Sequence, residues 1–368
     1  MFDTIAVIGA GNGGKASAAD LALQGKRVRL FELPEYAGNL EAVAQSRRLI
    51  ATGAVAGEAE LERATTDLEA AISGAELLLV CTQAPAHDRV ARILAPLVRP
   101  EQVVVLSPGS TGGTLHFANV FRQMGVERLP ILVELSTLPY GCRASGESVR
   151  VFVKVGRVKY GVLPGRETER IGPALEALYP GFVRSESVLE AGLNNGNPVI
   201  HPAVTLLNAA RIEKEGAAMY FYRDGVSPAV ARAIEALDGE RMAILRTLGY
   251  PAQPEPLTCV QQGYATASGY LECYSQGPGF IDFRSPDTLD HRYLHEDIGM
   301  GLLFYTSLGR LLGVPTPLSD AFVTMGSALS GIDYRARNAR SLDSLGLSGM
   351  TVEALKEYLQ SGVLPPGA

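Results

Sequence analysis

A short apolar run, Thr4 to Ile8, passes directly into Gly9-Ala10-Gly11-Asn12-Gly13-Gly14 and then into a helical pattern over Gly14 to Leu23. No other stretch restricts the possible folds so strongly. In a strand–turn–helix of this kind Gly9 makes the tight turn, Gly11 lets the backbone approach a pyrophosphate, and Gly14 lets the helix close onto the strand. An anion placed there meets unpaired N–H groups at the positive end of the helix dipole. The bare G-x-G-x-x-G pattern is weak in a chain with 40 glycines, and a purely structural turn is the alternative. The context is what gives it weight: a strand before, a helix after, and a second strand, Arg27 to Phe31, that runs into an acid. That acid is Glu32. Its carboxylate would accept hydrogen bonds from both ribose hydroxyls and repel a 2′-phosphate, so NAD(H) is expected over NADP(H). Strand alternation puts the nearby Arg29 on the opposite face.

The first half of the chain continues the pattern. Apolar runs at Leu77 to Cys81, Val103 to Leu106 and Ile131 to Glu134 alternate with helical stretches at His87 to Leu97 and Gly113 to Met124. Strands spaced by helices specify right-handed crossovers and a parallel sheet. Val149 to Val155 and Lys159 to Leu163 read as an antiparallel hairpin added to it. Beyond about Ser185 long helical periodicities take over: Pro202 to Glu215, Ser227 to Leu248, Ile298 to Leu312 and Pro317 to Ser330. Ser227-Pro228 starts one of these, and Gly249 and Gly313 stop two. The expected fold class is α/β, an N-terminal Rossmann-type, doubly wound, mostly parallel sheet followed by an all-helical C-terminal domain. The boundaries expected are 1–187 for NAD binding and 188–368 for a helical substrate and catalytic domain; 368 residues exceed one ordinary core.

A net charge of −6 with no block of Lys or Arg excludes nucleic acid or an anionic membrane surface as the expected partner. No apolar stretch approaches the ~20 residues of a spanning helix. Cys81, Cys142, Cys259 and Cys273 are widely spaced, with no metal-ligand pattern, and read as reduced thiols of a cytoplasmic protein. A homodimer is a reasonable expectation from the exposed faces of the helical domain.

A nucleotide domain of this type binds a hydride donor but does not define the reaction, so acid–base and anion-binding groups are sought in the second domain. Of the five histidines, His87 and His116 lie on helices of the first domain and read as structural or solvent-facing. His201 lies in Asn194-Asn-Gly-Asn197-Pro198-Val-Ile-His201-Pro202. There Asn197 would cap a helix with Pro198 in its first position, and Pro202 would kink or restart that helix at His201. An aimed imidazole and an ordinary core histidine both fit this pattern. In His291-Arg292-Tyr293-Leu294-His295-Glu296-Asp297, Arg292 is either a solvated charge or a bidentate clamp for a carboxylate. Asp297 is either a helix cap or the anion that orients a histidine. Pro108-Gly109-Ser110-Thr111-Gly112-Gly113 follows a strand at its carboxyl end, so Pro108 and Gly109 join Gly9, Gly11, Asn12, Gly13, Gly14 and Glu32 as cofactor-site candidates. The segment from Glu134 to Arg143, with Thr137, is a weaker candidate for the substrate pocket, as is Asn197.

Taken together, Gly9 to Gly14, Pro108 to Gly113, His201-Pro-Ala-Val-Thr-Leu-Leu-Asn-Ala-Ala-Arg211, Arg292 to Asp297, Pro315-Thr-Pro-Leu-Ser-Asp320 and Leu345-Gly-Leu-Ser-Gly349 resemble one family across essentially the whole chain. It is the NAD-dependent opine dehydrogenases, the octopine and nopaline dehydrogenase family, with a nearer likeness to the bacterial N-(1-carboxyethyl)norvaline dehydrogenase type. The resemblance implies that the family's catalytic histidine falls on His201, its aspartate partner on Asp297, and a substrate-carboxylate ligand on Arg292. It also implies the reaction: an amino acid's amine condenses with an α-keto acid, often pyruvate, and NADH reduces the imine. Two other readings stay in play. One is a ketopantoate-like reductase acting on a carbonyl, with Lys214 as its candidate lysine. The other is an NAD-sensing protein without turnover.

Overall fold

The computed structural model describes residues 2–365. They form two compact units. One comprises the chain up to Gly109, Gly113–Ala191 and Leu359–Gly362; the other comprises Ser110–Gly112 and Gly192–Tyr358.

The first unit holds all the named strands. In chain order they are β1 (Thr4–Ile8), β2 (Arg27–Phe31), β3 (Arg48–Gly53), β4 (Gly57–Glu60), β5 (Arg63–Thr65) and β6 (Leu77–Val80). β7 (Val103–Leu106), β8 (Ile131–Leu135), β9 (Tyr140–Ser145), β10 (Ser148–Lys154), β11 (Val158–Leu163) and β12 (Phe182–Arg184) complete the set. The main sheet runs β12-β11-β8-β7-β6-β1-β2-β5. All its pairs are parallel except β8 with β11. β1, β6, β7 and β8 are buried at every residue, which is why they read as unbroken apolar runs and not as alternations. The chain leaves β1 toward β2 and β5, then returns on the other side through β6 and β7. The carboxyl end of β1, where the glycine turn lies, is therefore a topological switch point, the usual place for a ligand in an open α/β sheet.

The expected hairpin is corrected. β10 does not pair with β11. It belongs to a separate four-stranded sheet, β4-β3-β10-β9, while β11 runs antiparallel to β8 in the main sheet. The reason is visible in burial. β10 begins exposed–buried–exposed–buried, as a one-sided sheet requires, whereas β11 is buried at nearly every position, as a strand covered on both faces must be. The small sheet covers the first helix, Asn12–Leu23. Tyr140 and Lys154 bond Asp20 of that helix, and Lys15 Nζ donates to Gly146 O.

The second unit is built of helices. Pro228–Leu248 starts with Ser227 as N-cap, its side chain accepting from Val230 N, and stops at Gly249 in the left-handed region, as read from sequence. The expected Pro202–Glu215 helix is two helices, Asn197–Leu207 and Ala209–Glu215. Two local expectations fail here. Gly196, not Asn197, is the N-cap residue, which moves Asn197 and Pro198 to the first two helical positions. Pro202 does not restart the helix, which runs through it. Only the bond to the Pro198 carbonyl is forfeited, and every residue from Pro198 to Leu206 is buried, so tertiary packing holds the turn. The expected Ile298–Leu312 helix opens with a π-helical turn, Asp297–Leu302, before Leu303–Leu312 continues as α-helix. Among the described residues no helix is long and apolar enough to cross a membrane.

Candidate active site

Two places carry the groups singled out by sequence, one in each unit. In the first, Gly9 sits at φ +103° and its N–H donates to Phe31 O. A Cβ on Gly14 would lie 1.7 Å from Gly9 O, so helix and strand meet backbone to backbone. A Cβ on Gly11 would meet nothing within 4 Å: that face of the turn is open, and the helix that follows has no side-chain cap. An open approach onto uncapped first-turn N–H groups is the cradle a pyrophosphate needs, so these residues fit NAD(H). Glu32 is buried at the end of β2. Its Oε2 accepts from Ala10 N at 3.0 Å and its Oε1 from Leu33 N at 2.8 Å. The acid thus holds the glycine turn in shape, a job its position did not reveal. Arg29 is engaged elsewhere, with Glu62 at 2.7 Å.

The other candidates of this unit have the following neighbours. Asn12 Oδ1 accepts from Ala144 N at 2.8 Å. Gly13 lies under Leu138, the residue after Thr137, whose Cδ1 would be 2.8 Å from an added Cβ. Gly109, after Pro108, leaves no room for a side chain, since a Cβ would come within 2.2 Å of the Glu134 carboxyl.

In the second unit the structure joins residues far apart in sequence. His201 Nδ1 and Asp297 Oδ2 are 2.7 Å apart across 96 positions. His201 Nε2 is 3.0 Å from the hydroxyl of Tyr222. The imidazole stacks on Tyr293, centroids 3.9 Å apart and planes at 29°. Asp297 does not cap a helix. The π turn, in which Gly301 N reaches back to Glu296 O, positions it, and Gly301 admits Pro198 where a Cβ would be 2.5 Å from the proline ring. Gly192–Gly196, which launches the His201 helix, is fastened from two directions. Arg241, fully buried and paired with Asp238 at 2.6 Å, donates to Leu193 O, and Thr111 donates to Gly192 O.

Ser110 and Thr111 are held at φ +52° and +62°, a strained region for residues with side chains. The Arg340 guanidinium donates to both their carbonyls, and Ser110 Oγ donates to Glu296 at 2.7 Å. The loop read as a possible pocket lining therefore also braces the residue next to Asp297.

Burial sets the electrostatics. It lowers the His201 imidazolium well below its ordinary range, and Arg292 nearby acts in the same direction, with Glu296 opposing. It pushes the Asp297 carboxyl up to about 8 against the pull of Arg292. The pair then titrates as a unit. With two protons it has Asp297 donating to Nδ1 and the ring proton on Nε2; with one, the carboxylate accepts from Nδ1–H and Nε2 becomes an acceptor. Arg292 is half-buried, and burial alone would weaken its charge; Glu296, Tyr293 and Asp297 more than offset this. Among the described residues it makes no hydrogen bond or ion pair through its guanidinium. Its Cζ lies 5.4 Å from the centroid of the Tyr293 ring; a planar fork of N–H donors with no anion bonded to it is a site for a carboxylate.

Comparison with known proteins identifies the family. Residues 184–330 match the NAD/NADP octopine/nopaline dehydrogenase α-helical domain, and residues 4–121 match the N-terminus of NAD-dependent glycerol-3-phosphate dehydrogenase. The opine dehydrogenase of Arthrobacter sp. (strain 1C) is 34% identical over 364 residues, 97% of this chain and 99% of that protein. The chain belongs to the opine dehydrogenase family. As a member it is an NAD(H)-dependent oxidoreductase acting on a CH–NH bond. A more distant relative is the ocs protein of Agrobacterium tumefaciens (strain Ach5), 27% identical over 96% of this chain and 98% of its own. Octopine dehydrogenase, solved with NADH and L-arginine, shares the fold at TM-score 0.76 and 19% identity, covering 99% of both chains.

Within this opine dehydrogenase fold, sequence reading missed Tyr222, Tyr293 and the Arg241–Asp238 pair. Tyr293 lay inside a quoted motif. Tyr222 belongs to the aromatic run Tyr220-Phe221-Tyr222, which nothing in the chain links to His201.

Proposed function

We propose that the enzyme joins the amine of an amino acid to an α-keto acid and reduces the resulting imine, with His201, Asp297 and Arg292 performing the chemistry. The observation that carries this reading is the Arg292 guanidinium, without a hydrogen bond or ion pair among the described residues, acting electrostatically on a buried His201–Asp297 pair. Arg292 clamps the keto-acid carboxylate, which fixes the carbonyl carbon and converts a multi-reactant encounter into a positioned one. The protonated pair supplies a proton to the oxygen that leaves as water, and in the reverse direction accepts one from attacking water. Bound NADH, held at Gly9 to Gly14 and Glu32 with Pro108 and Gly109 nearby, supplies the hydride. Burial of the pair keeps the proton from exchanging freely with solvent. Asn197 and Thr137 are proposed as substrate contacts, and pyruvate as the keto acid. A cytoplasmic setting is supported by four free cysteines.

Carbonyl reduction by a ketopantoate-like reductase fits less well, because Lys214 is exposed on the helix Ala209–Glu215. The test is NADH oxidation with pyruvate, with and without a panel of amino acids. Oxidation that requires both substrates supports the proposal. Oxidation by keto acid alone replaces it with the carbonyl reading, and none with any pair removes turnover from the account.

A further inference from the structure

We propose that Tyr222 is a catalytic residue, the outermost member of an Asp297–His201–Tyr222 proton relay, whose hydroxyl exchanges the proton with the reacting oxygen of the substrate. The inference rests on the proposed reaction only in that some oxygen must be protonated.

The imidazole has little freedom. Nδ1 is held by Asp297, the ring stacks on Tyr293, and Nε2 meets the Tyr222 hydroxyl. Turning the ring toward a substrate would break a buried hydrogen bond and the stack. A proton leaving Nε2 therefore has one neighbour to go to, the phenol oxygen. That phenol is itself fixed. Phe221 N donates to Phe283 O and Ser285 N to Met219 O, clamping the segment just before Tyr222. Its ring packs on Phe280 at 4.9 Å and Tyr274 at 6.5 Å.

The hydrogen bond to Nε2 is the one bond of the Tyr222 hydroxyl among the described residues. Its direction follows the charge of the pair. When the pair holds its second proton, Nε2–H donates to the phenol oxygen, and the phenol's own O–H is left to donate elsewhere. When the pair has lost that proton, the phenol donates back to Nε2. Burial keeps the phenol protonated well above its ordinary range, so it passes protons on without ionising at rest. Arg292 acts electrostatically on both His201 and Tyr222. In the proposed relay a carboxylate seated on Arg292 presents its neighbouring carbon to the phenol.

The step balances. The Tyr222 O–H proton goes to the carbinolamine hydroxyl, the C–O bond breaks, and water leaves. The nitrogen lone pair forms C=N⁺, and Tyr222 takes the Nε2 proton. The His201–Asp297 pair ends with one proton and a net charge of −1.

Y222F keeps the ring and removes only the hydroxyl. It is expected to lower kcat about a hundredfold or more, with the keto-acid KM, the NADH Kd and the thermal midpoint close to wild type. Single-turnover NADH oxidation in mixtures of H2O and D2O should give a bowed dependence on deuterium fraction in the wild type, from two protons in flight, and a straight one in Y222F. A kcat within threefold of wild type overturns the relay. So does a straight wild-type dependence, which would leave Tyr222 holding the imidazole without passing a proton. A loss shared by KM and thermal midpoint would mark a structural role. The measurement uses whichever substrates the wild type turns over, so dependence on an amine tests the reaction and Y222F tests the relay separately.

Discussion

The two functional places differ in how they are built. At the nucleotide turn the groups that fit an anion are backbone N–H groups of consecutive residues, and the one side chain that matters, Glu32, reaches Ala10 N from the end of the next strand. In the helical unit no backbone run does the work. His201, Tyr222 and the Arg292–Asp297 motif come from three segments of the chain, and the placing of His201, Tyr222 and Asp297 depends on a π turn, a launched helix and a bridged loop. A backbone site tolerates sequence change wherever glycine geometry survives. A side-chain site loses its chemistry with one atom.

That contrast can be broken by experiment. Most severe should be His201→Ala, expected to lower kcat by about 10³–10⁴ while NADH titration by fluorescence gives an unchanged Kd. A matching loss of NADH affinity would show that the two places are not separable. Arg292→Lys replaces a planar fork by a point charge and should raise the keto-acid KM by about ten- to a hundredfold, with the NADH KM unaffected.

The pH profile comes next. The pair's second proton is lost as pH rises through about 8, so the reductive rate should fall about tenfold per pH unit above that point, and the oxidative rate should rise toward it. Asp297→Asn should abolish the limb in both directions; a profile it leaves intact assigns the limb to another group. Smallest is Glu32→Ala, expected to raise the NADH KM about tenfold and to narrow the gap to NADPH. It should also cost about 1–3 kcal/mol of stability by thermal unfolding, because Ala10 N–H loses its buried acceptor. Loss of stability without a change in cofactor kinetics would confine Glu32 to the turn.

Legibility followed the same division. The strand–glycine–helix unit, the apolar strands buried on both faces, and the Ser227 and Gly249 helix ends were readable because each is fixed by interactions a few residues apart. The second sheet was not: its hairpins β9–β10 and β3–β4 are local, but β3 and β10 join them across nearly a hundred positions, and no local signal distinguishes such a partner from β11. Pro202 misled for a related reason: local propensity argues for a break, and packing of a fully buried helix overrides it. The motif around Arg292 to Asp297 named residues without saying which would touch.

By itself, then, the sequence determined the βαβ framework, the pyrophosphate turn, its acidic neighbour, and which histidine and arginine merit attention, since periodicity, chain reversal and residue type are local properties. Tertiary structure alone decided that His201 meets Asp297 across 96 positions, that Tyr222 closes the other side of the ring, and that Arg292 has no hydrogen bond or ion pair among the described residues. Those depend on burial, and burial is what moves a carboxyl to about 8.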